Sequence, residues 1–227
     1  MESRRESSIA PTCGWWGRFD GSVACSLRVG VAEAVNEITT TETPLHPDWR
    51  ALLVGSSSLV LLNRPKERAL PVLAARGLTD VVTLLMAREG GTLVGSACRV
   101  AGLRWHHAPI ERGRAPIGVD EAAAFEHAAR SVLQILEQPN TVTLLHCSAG
   151  LHRTGMVALR SLKLLGVSDE RALEILDELR PRSREEMTEA RLAYGLRGEL
   201  ASAKPSGSGR RRKDRDGGRG RKAGRRG

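Results

Sequence analysis

Between residues 49 and 203 the sequence switches repeatedly between short apolar, β-branched runs and longer stretches in which apolar residues recur at helical spacing. The run 80–85, Asp-Val-Val-Thr-Leu-Leu, is typical of a strand buried on both faces of a sheet. The stretch 120–137 has the apolar side of a long helix, with Asp120 as a natural N-cap. Strands that alternate with helices predict an α/β fold, with a mostly parallel central sheet flanked by helices on both faces. The predicted strands are 51–54, 58–62, 80–85, 103–107 and the run before Cys147, and the predicted helices are 65–76, 93–101, 120–137, 154–165, 168–179 and 185–200.

The chain divides into three regions by composition. Residues 1–48 form a poorly defined N-terminal extension, which is either a leader with one helix at 25–38 or a strand pair that covers the domain. We expect Trp15 or Trp16 of this extension to pack on the core, because exposed aromatic side chains are uncommon without a partner. Residues 49–203 are long enough for one domain with its own core, and residues 204–227 form a basic tail.

The net charge of +9 lies entirely in the tail. Residues 204–227 hold eleven Lys and Arg against two Asp, whereas residues 1–203 hold 24 basic and 24 acidic residues. Because the tail has no large apolar residue, it cannot form a core, and we expect it to be disordered. It either only solvates the protein or weakly contacts nucleic acid (RNA or DNA) or acidic lipid through its charge. Since no aromatic residue lies between its arginines, base stacking is unsupported.

Cysteine spacing and hydropathy exclude several classes of protein. The four cysteines, Cys13, Cys25, Cys98 and Cys147, show neither the paired spacing of a disulfide framework nor that of a zinc site, so we expect no metal and no cofactor. No run approaches the roughly 18 apolar residues of a membrane span, and the N-terminus carries acids without an apolar stretch behind them. These features predict a soluble, cytoplasmic protein without a transmembrane segment.

The stretch 142–155 is the clearest candidate for an anion site. An apolar run ends at Cys147, a turn of small residues follows, and a helical pattern begins at Thr154. In such an arrangement the backbone N–H groups of the loop can turn inward, and the helix adds the positive end of its dipole. The predicted phosphate-binding residues are Ser148, Ala149, Gly150, Leu151, His152 and Arg153.

Several side chains at this loop have predicted chemical roles. The positive field favours the thiolate form of Cys147, which makes it a nucleophile. Arg153 offers a planar fork for two phosphate oxygens, and Thr154 is placed to hydrogen-bond the sulfur when it leaves. His146 is expected to orient the loop and to favour the Cys147 thiolate through hydrogen bonding. His152 either adds positive charge at the rim of the pocket or packs there.

The arrangement His-Cys-x5-Arg-Thr, from His146 to Thr154, resembles the signature loop of the cysteine-dependent protein tyrosine and dual-specificity phosphatase superfamily. A second Cys-x5-Arg, from Cys98 to Arg104, has no apolar strand before it, and we interpret Cys98 as a packing residue. The stretches 77–85, 105–110 and 179–181 also resemble a bacterial or kinase-associated branch of the dual-specificity phosphatases. The resemblance covers about residues 49–200.

The resemblance implies a phosphatase that hydrolyses phosphomonoesters, on protein phosphotyrosine or on phosphoserine and phosphothreonine, through a cysteinyl-phosphate intermediate. It also implies an Asp, two residues after Pro109-Ile110, that protonates the leaving oxygen. Here that position is Arg112, which cannot donate a proton at physiological pH. Glu111 is the nearest replacement and Asp120 is more distant. The third alternative is that no side chain supplies the proton.

Other functions fit the same loop. Because Arg112 replaces the expected acid, the chain could be a phosphate-binding module, a pseudophosphatase that no longer turns over its ligand. A phosphatase for RNA 5′ ends, with the basic tail as a tether, or for phosphoinositides, would use the same nucleophile on a substrate that is not a protein.

Overall fold

The structure, a computed structural model, describes residues 38–202. Six strands form one sheet over this range. Their bounds are β1 (Thr39–Thr43), β2 (His46–Val54), β3 (Ser57–Leu62), β4 (Asp80–Thr83), β5 (Arg104–His107) and β6 (Val142–His146). The strand order is β1-β2-β3-β6-β4-β5. β1, β2 and β3 pair antiparallel, whereas β3, β6, β4 and β5 pair in parallel, which confirms the mostly parallel sheet predicted from the sequence.

Seven α-helices flank the sheet in the described range. They are α1 (Leu70–Ala75), α2 (Gly91–Val100), α3 (Val119–Leu136), α4 (His152–Leu164), α5 (Asp169–Leu179), α6 (Pro181–Glu185) and α7 (Glu189–Arg197). Two short 3-10 turns, Glu67–Ala69 and Ala87–Glu89, precede α1 and α2. The predicted start of the helix at 185–200 is wrong. Residues 181–185 form the separate helix α6, which begins at Pro181, and the extended residue Thr188 separates α6 from α7.

Successive residues of the central strands point to opposite faces of the sheet, and each face has its own hydrophobic cluster. On β3, Leu59 and Leu61 belong to one cluster, whereas Val60 and Leu62 belong to the other. Buried residues of α3, α4, α5 and α7 complete the first cluster, and those of α1 and α2 complete the second. Helices therefore cover both faces of the sheet, as the apolar run of β4 predicted.

β1 and the first residues of β2 lie in the stretch 1–48 that the sequence assigns to an N-terminal extension. β1 pairs with β2 along its length, and Thr40 Oγ1 donates a hydrogen bond to Glu178 on α5. The sheet thus extends about ten residues further towards the N-terminus than the boundary expected at residue 49. The tryptophans of the extension lie outside the described residues, as does most of its predicted helix. Within residues 38–202, no helix combines the length and the hydropathy that crossing a membrane requires.

Asp80, at the start of β4, is a buried carboxylate with several donors. Arg104 donates to both of its oxygens, at 2.8 and 2.6 Å, and His106 Nε2 lies 2.7 Å from Oδ1. Burial by itself raises the pKa of Asp80, but the bonds from His106, Arg104 and Thr79 outweigh it and hold the pKa well below its usual range. The cluster joins β4 to the edge strand β5 at the end of the sheet opposite the loop that follows β6.

Replacing Asp80 by Asn should destabilise the protein by about 2 kcal/mol at neutral pH, because hydrogen bonds to a charged carboxylate are lost. A depressed pKa contributes stability above the pKa of the unfolded chain and loses it as the pH falls. The difference between wild type and Asp80→Asn should therefore shrink below about pH 4. Urea unfolding at several pH values measures this difference. Asp48→Asn, at a side chain that is 86% exposed, is the control and should change little; equal effects of the two variants would contradict the assignment.

Candidate active site

Four parallel strands end at the same edge of the sheet, and the segments that follow them form the candidate site. Residues 63–64 follow β3, residues 84–89 follow β4, residues 108–112 follow β5, and Cys147 follows β6. Ligands bind at this edge in sheets of this type. Because β6 lies between β3 and β4, Cys147 is central, and it is only 3% exposed.

The loop from Cys147 to α4 lies close to the end of β3 at Gly150. This residue has a φ of +67°, and a Cβ at this position would lie 2.2 Å from the carbonyl oxygen of Leu62. Only glycine combines that backbone conformation with so close an approach. The glycine of the predicted motif therefore lets the loop fold back against β3.

Donors outside the loop hold the carbonyl oxygens of its first two residues. His146 Nδ1 lies 3.2 Å from the carbonyl oxygen of Cys147. The backbone N–H of Arg64, just after β3, donates to the carbonyl oxygen of Ser148 at 3.0 Å. Both carbonyl groups therefore point away from the interior of the loop.

The segment around α6 holds the next two carbonyl oxygens. Arg180 Nη2 donates to the carbonyl oxygen of Ala149 at 3.2 Å, and Ser183 Oγ donates to that of Gly150 at 3.0 Å. Arg180 Nη1 also donates to Leu61 O at 3.3 Å, so its guanidinium joins the loop to β3. Four successive carbonyl groups of the loop are thus turned outward.

The outward carbonyl groups aim the N–H groups of residues 148–151 into the loop, because a trans peptide places the C=O of one residue opposite to the N–H of the next. The Gly150 N–H illustrates this orientation, since it donates to Cys147 Sγ at 3.2 Å. The first turn of α4 adds further N–H groups and the positive end of the helix dipole. The interior of the loop can therefore bind an anion.

The surroundings of Cys147 favour its thiolate. Burial by itself raises the pKa of this thiol, but hydrogen bonds from Thr154 and Gly150 and the charge of Arg153 outweigh it and lower the pKa. The hydroxyl of Thr154 is buried and has no hydrogen-bond partner within residues 38–202, so it is available to the thiolate. Cys98, buried on α2, differs because burial alone acts on it and raises its pKa to about 11.

A partly buried ion pair with Glu89 fixes Arg153. Its side chain is 9% exposed and donates from Nη1 and Nη2 to the two carboxylate oxygens of Glu89, at 2.7 and 2.8 Å. Burial by itself lowers the pKa of Arg153, but Glu89 and Cys147 outweigh it and raise the pKa. The bonds from Arg153 in turn lower the pKa of Glu89. The guanidinium is therefore charged and oriented without a ligand.

The contacts of Arg153 leave one edge of its guanidinium for a ligand. Glu89 takes the end-on pair of N–H groups, and the carbonyl oxygen of Ile110 accepts from Nη1 at 2.9 Å. Within residues 38–202 no oxygen accepts a hydrogen bond from Nε of this side chain. The side-on pair, Nε and the second N–H of Nη2, can therefore bind two oxygens of one phosphate.

The backbone of the predicted acid, Glu111, lies at the edge of this site, but its carboxylate is bound at the surface, away from Arg153. Its neighbour Ile110 contacts Arg153 through the carbonyl oxygen, as above. The Glu111 side chain is 58% exposed and accepts a hydrogen bond from Arg88 at 2.8 Å. To reach a leaving group above Cys147, the carboxylate has to exchange this surface partner for the substrate.

Arg112 and Asp120 line the same cleft as Glu111, with a volume of about 280 Å³, and Cys147 does not line it. Asp120 lies in the first turn of α3, whose N-cap is Gly118, so the prediction of Asp120 as the N-cap is wrong. The segment between β5 and α3 is fixed to α7, because Arg191 Nε donates to the carbonyl oxygen of Gly113 at 2.8 Å. The structure thus brings the three candidate positions together beside the anion site.

His152 packs at the rim of the loop. Its Nε2 lies 3.8 Å from a carboxylate oxygen of Glu186, and Gly113 approaches its Cβ. Burial, followed by the charge of Arg191, lowers the pKa of His152 despite the opposing effect of Glu186. Of the two roles expected from the sequence, these contacts favour packing.

Sequence reasoning did not identify Arg64, Glu89 or Ser183, and it noted Arg180 only within a flanking motif. Arg64 and Glu89 follow parallel strands whose carboxyl ends meet at the site, and their position after these strands could have identified them as candidate site residues. Ser183 carries no such signal, because it follows a helix and reaches the loop only through the fold.

Comparison with protein families assigns residues 61–174, half of the chain, to the tyrosine phosphatase family. The chain belongs to this family. The matched range begins in β3 and ends in α5, so it includes the loop from Cys147 to Arg153 and the supporting residue Glu89. No curated protein matches the chain.

Solved structures share the fold. The kinase-associated phosphatase KAP, with its catalytic-site cysteine replaced by serine, is 21% identical with a TM-score of 0.51, over 72% of this chain and 98% of that chain. A mutant form of Tk-PTP is 26% identical with a TM-score of 0.50, over 64% of this chain and 93% of that chain. The tyrosine phosphatase fold therefore spans almost the whole of both relatives.

Replacing Glu89 by Ala leaves the guanidinium of Arg153 buried without its counter-ion. Because the Glu89 side chain is 31% exposed, we expect a loss of about 2 kcal/mol, below the range for fully buried pairs. Glu89→Gln keeps one acceptor and should cost less. Thermal and urea unfolding measure the loss. The control is Glu174→Ala, which removes an exposed ion pair with Arg171; a loss for Glu89→Ala no larger than this control would contradict the role of Glu89.

Proposed function

We propose that the protein hydrolyses phosphomonoesters, on protein phosphotyrosine or on phosphoserine and phosphothreonine, through a cysteinyl-phosphate intermediate on Cys147. The observation that carries this proposal is the thiol of lowered pKa within a loop whose N–H groups point inward. The side-on edge of Arg153 lies beside it. Membership of the tyrosine phosphatase family supports the phosphatase reaction.

In the first step the Cys147 thiolate attacks phosphorus. An S–P bond forms, the bond from phosphorus to the ester oxygen breaks, and the leaving oxygen takes a proton from an acid. The inward N–H groups and Arg153 bind the equatorial oxygens, where charge is spread in the transition state. Because these donors are fixed before substrate binds, little reorganisation accompanies the reaction.

In the second step water attacks the phosphorus of the cysteinyl phosphate. The S–P bond breaks, inorganic phosphate leaves, and the sulfur departs as a thiolate that accepts hydrogen bonds from Gly150 and Thr154. The base that takes the proton from water is the group that gave its proton in the first step. The free thiolate is restored with no net change in the enzyme.

Glu111 is the proposed acid and base. Its backbone adjoins Ile110, whose carbonyl oxygen touches Arg153, so a rotation of its exposed side chain brings the carboxyl group towards the substrate. Asp120 is the alternative, from the first turn of α3. Arg112 occupies the position where related phosphatases are expected to carry the acid, and it offers a positive charge to an anionic substrate.

Turnover of p-nitrophenyl phosphate in the presence of a chelator tests the nucleophile. We expect Cys147→Ser to abolish turnover, because a serine hydroxyl is not ionised near neutral pH, while Cys98→Ser, the matched control, retains it. The wild type should also bind vanadate, which resembles phosphate. A folded wild type that binds vanadate but shows no turnover would replace this proposal with a phosphate-binding module. Activity retained in Cys147→Ser would exclude the thiolate mechanism.

Leaving groups of different basicity test Glu111. With phenyl phosphate, whose leaving group needs protonation, Glu111→Gln should lower kcat by about 100-fold; with p-nitrophenyl phosphate the loss should be smaller. The basic limb of the pH profile should also disappear. Adding Arg112→Asp to the Glu111→Gln variant should restore part of the kcat lost with phenyl phosphate, because it places an acid at the position expected for the family. If Asp120→Asn rather than Glu111→Gln shows this pattern, Asp120 is the acid.

A further inference from the structure

A line of hydrogen bonds crosses three strands and ends at the first carbonyl group of the loop. Trp105 Nε1, on β5, lies 2.8 Å from Thr83 Oγ1, on β4. Thr83 Oγ1 lies 2.9 Å from His146 Nε2, on β6. His146 Nδ1 lies 3.2 Å from the carbonyl oxygen of Cys147. Thr83 and His146 are fully buried and are register partners in the sheet.

The two ends of this line fix the direction of every bond in it. An indole N–H can only donate, so the Thr83 oxygen accepts from Trp105; in a neutral His146 ring whose one proton is on Nδ1, Nε2 is an acceptor and takes the Thr83 proton. A carbonyl oxygen can only accept, so His146 Nδ1 carries the ring proton and donates to Cys147. The neutral tautomer with hydrogen on Nδ1 satisfies all four groups at once.

Charge and burial favour the same neutral form. Burial lowers the pKa of His146 to about 4, and the charges of Arg64 and Arg153 act in the same direction, against the raising effect of the Cys147 carbonyl. Arg180 is also near Cys147: burial lowers the pKa of Arg180, and the charge of Cys147 opposes this effect. The ring is therefore neutral near neutral pH.

The indole of Trp105 is fixed from two sides. A Cβ on Gly95, in α2, would lie 2.7 Å from atoms of the indole ring, so only glycine at that position lets the ring lie against the helix. The imidazole of His107 stacks with the indole ring at a centroid distance of 4.9 Å. The donor at the start of the line is therefore held in one orientation.

We propose that Trp105 and Thr83 are positioning residues for the phosphatase reaction, which hold the Cys147 carbonyl outward through His146 and so keep the Ser148 N–H directed at the anion. The kinetic part of this inference rests on the proposed function. The structural part concerns the thiol and the anion site and does not depend on turnover.

Thr83→Val removes the hydroxyl and keeps the shape of the side chain, so His146 Nε2 loses its donor. His146 then holds the Cys147–Ser148 peptide less firmly, and we expect vanadate affinity and kcat/KM each to fall about tenfold, as misplaced catalytic groups do. The midpoint of Cys147 alkylation against pH should rise, as read from the mass of its peptide. Thr83→Ser restores the hydroxyl and should recover most of each effect.

Thr143→Val is the matched control for Thr83→Val. Thr143 is buried on β6, and its hydroxyl has no hydrogen-bond partner among the described residues. Its removal should leave the alkylation midpoint and vanadate affinity as in the wild type. Trp105→Phe, which keeps a ring against Gly95 but lacks the N–H, should shift both in the direction of Thr83→Val. Trp49→Phe, on β2, is its control and should not.

The ring nitrogens of His146 give a direct reading by ¹⁵N NMR. The wild type should show a neutral ring with its proton on Nδ1, and a proton on Nε2 would overturn the inference. The inference is also overturned if Thr83→Val has the same alkylation midpoint and vanadate affinity as its control, Thr143→Val. If Thr83→Val does not fold, the same comparison is made between Trp105→Phe and Trp49→Phe. A wild type without turnover in which these shifts still occur would refute the proposed function and leave this inference standing.

Discussion

A peptide group that turns its carbonyl oxygen outward turns the following N–H inward, and four successive peptides after β6 are held in this way. The holding donors come from His146, the Arg64 backbone, Arg180 and Ser183. They belong to three separate segments that the fold brings to the loop: the end of β6, the residues after β3, and the segment around α6. The ability of the loop to bind an anion thus depends on the packing around it more than on the loop's own sequence.

The same constraint explains how a buried thiol can be acidic. Burial raises the pKa of both Cys147 and Cys98, but only Cys147 lies where N–H groups, a hydroxyl and a guanidinium converge. Glu89 contributes to the acidity of Cys147 through Arg153. It keeps Arg153 charged and oriented inside the protein, and it takes only the end-on N–H groups, so the side-on edge stays available for phosphate.

The fold and the centre of the site were predictable because they depend on local sequence. β-branched runs, helical spacing and the motif from His146 to Thr154 are read from neighbouring residues, and the structure confirms the sheet they predicted. The supporting contacts are long-range: Arg180 and Ser183 act on the loop only after α5 and α6 have packed. The sequence does not predict β1 for a similar reason, since its polar residues show no strand pattern of their own and the strand is defined by its pairing with β2.

The identity of the acid illustrates the limit of motif reasoning. The expected position holds Arg112, and the adjacent carboxylate, Glu111, is bound to Arg88 at the surface. A motif specifies spacing along the chain, whereas proton transfer depends on where a flexible side chain points when substrate is bound. The two carboxylates proposed for the role, Glu111 and Asp120, line one cleft together with Arg112.

The most direct test of the account is to trap the covalent intermediate. Wild-type protein would be mixed with p-nitrophenyl phosphate, quenched in acid within the first turnover, and digested for mass spectrometry. The account predicts one phosphoryl group on the peptide that contains Cys147, attached to sulfur and absent after quenching Cys147→Ser. A phosphoryl group on Ser148 or elsewhere, or product release with no phosphorylated peptide at any quench time, would contradict it.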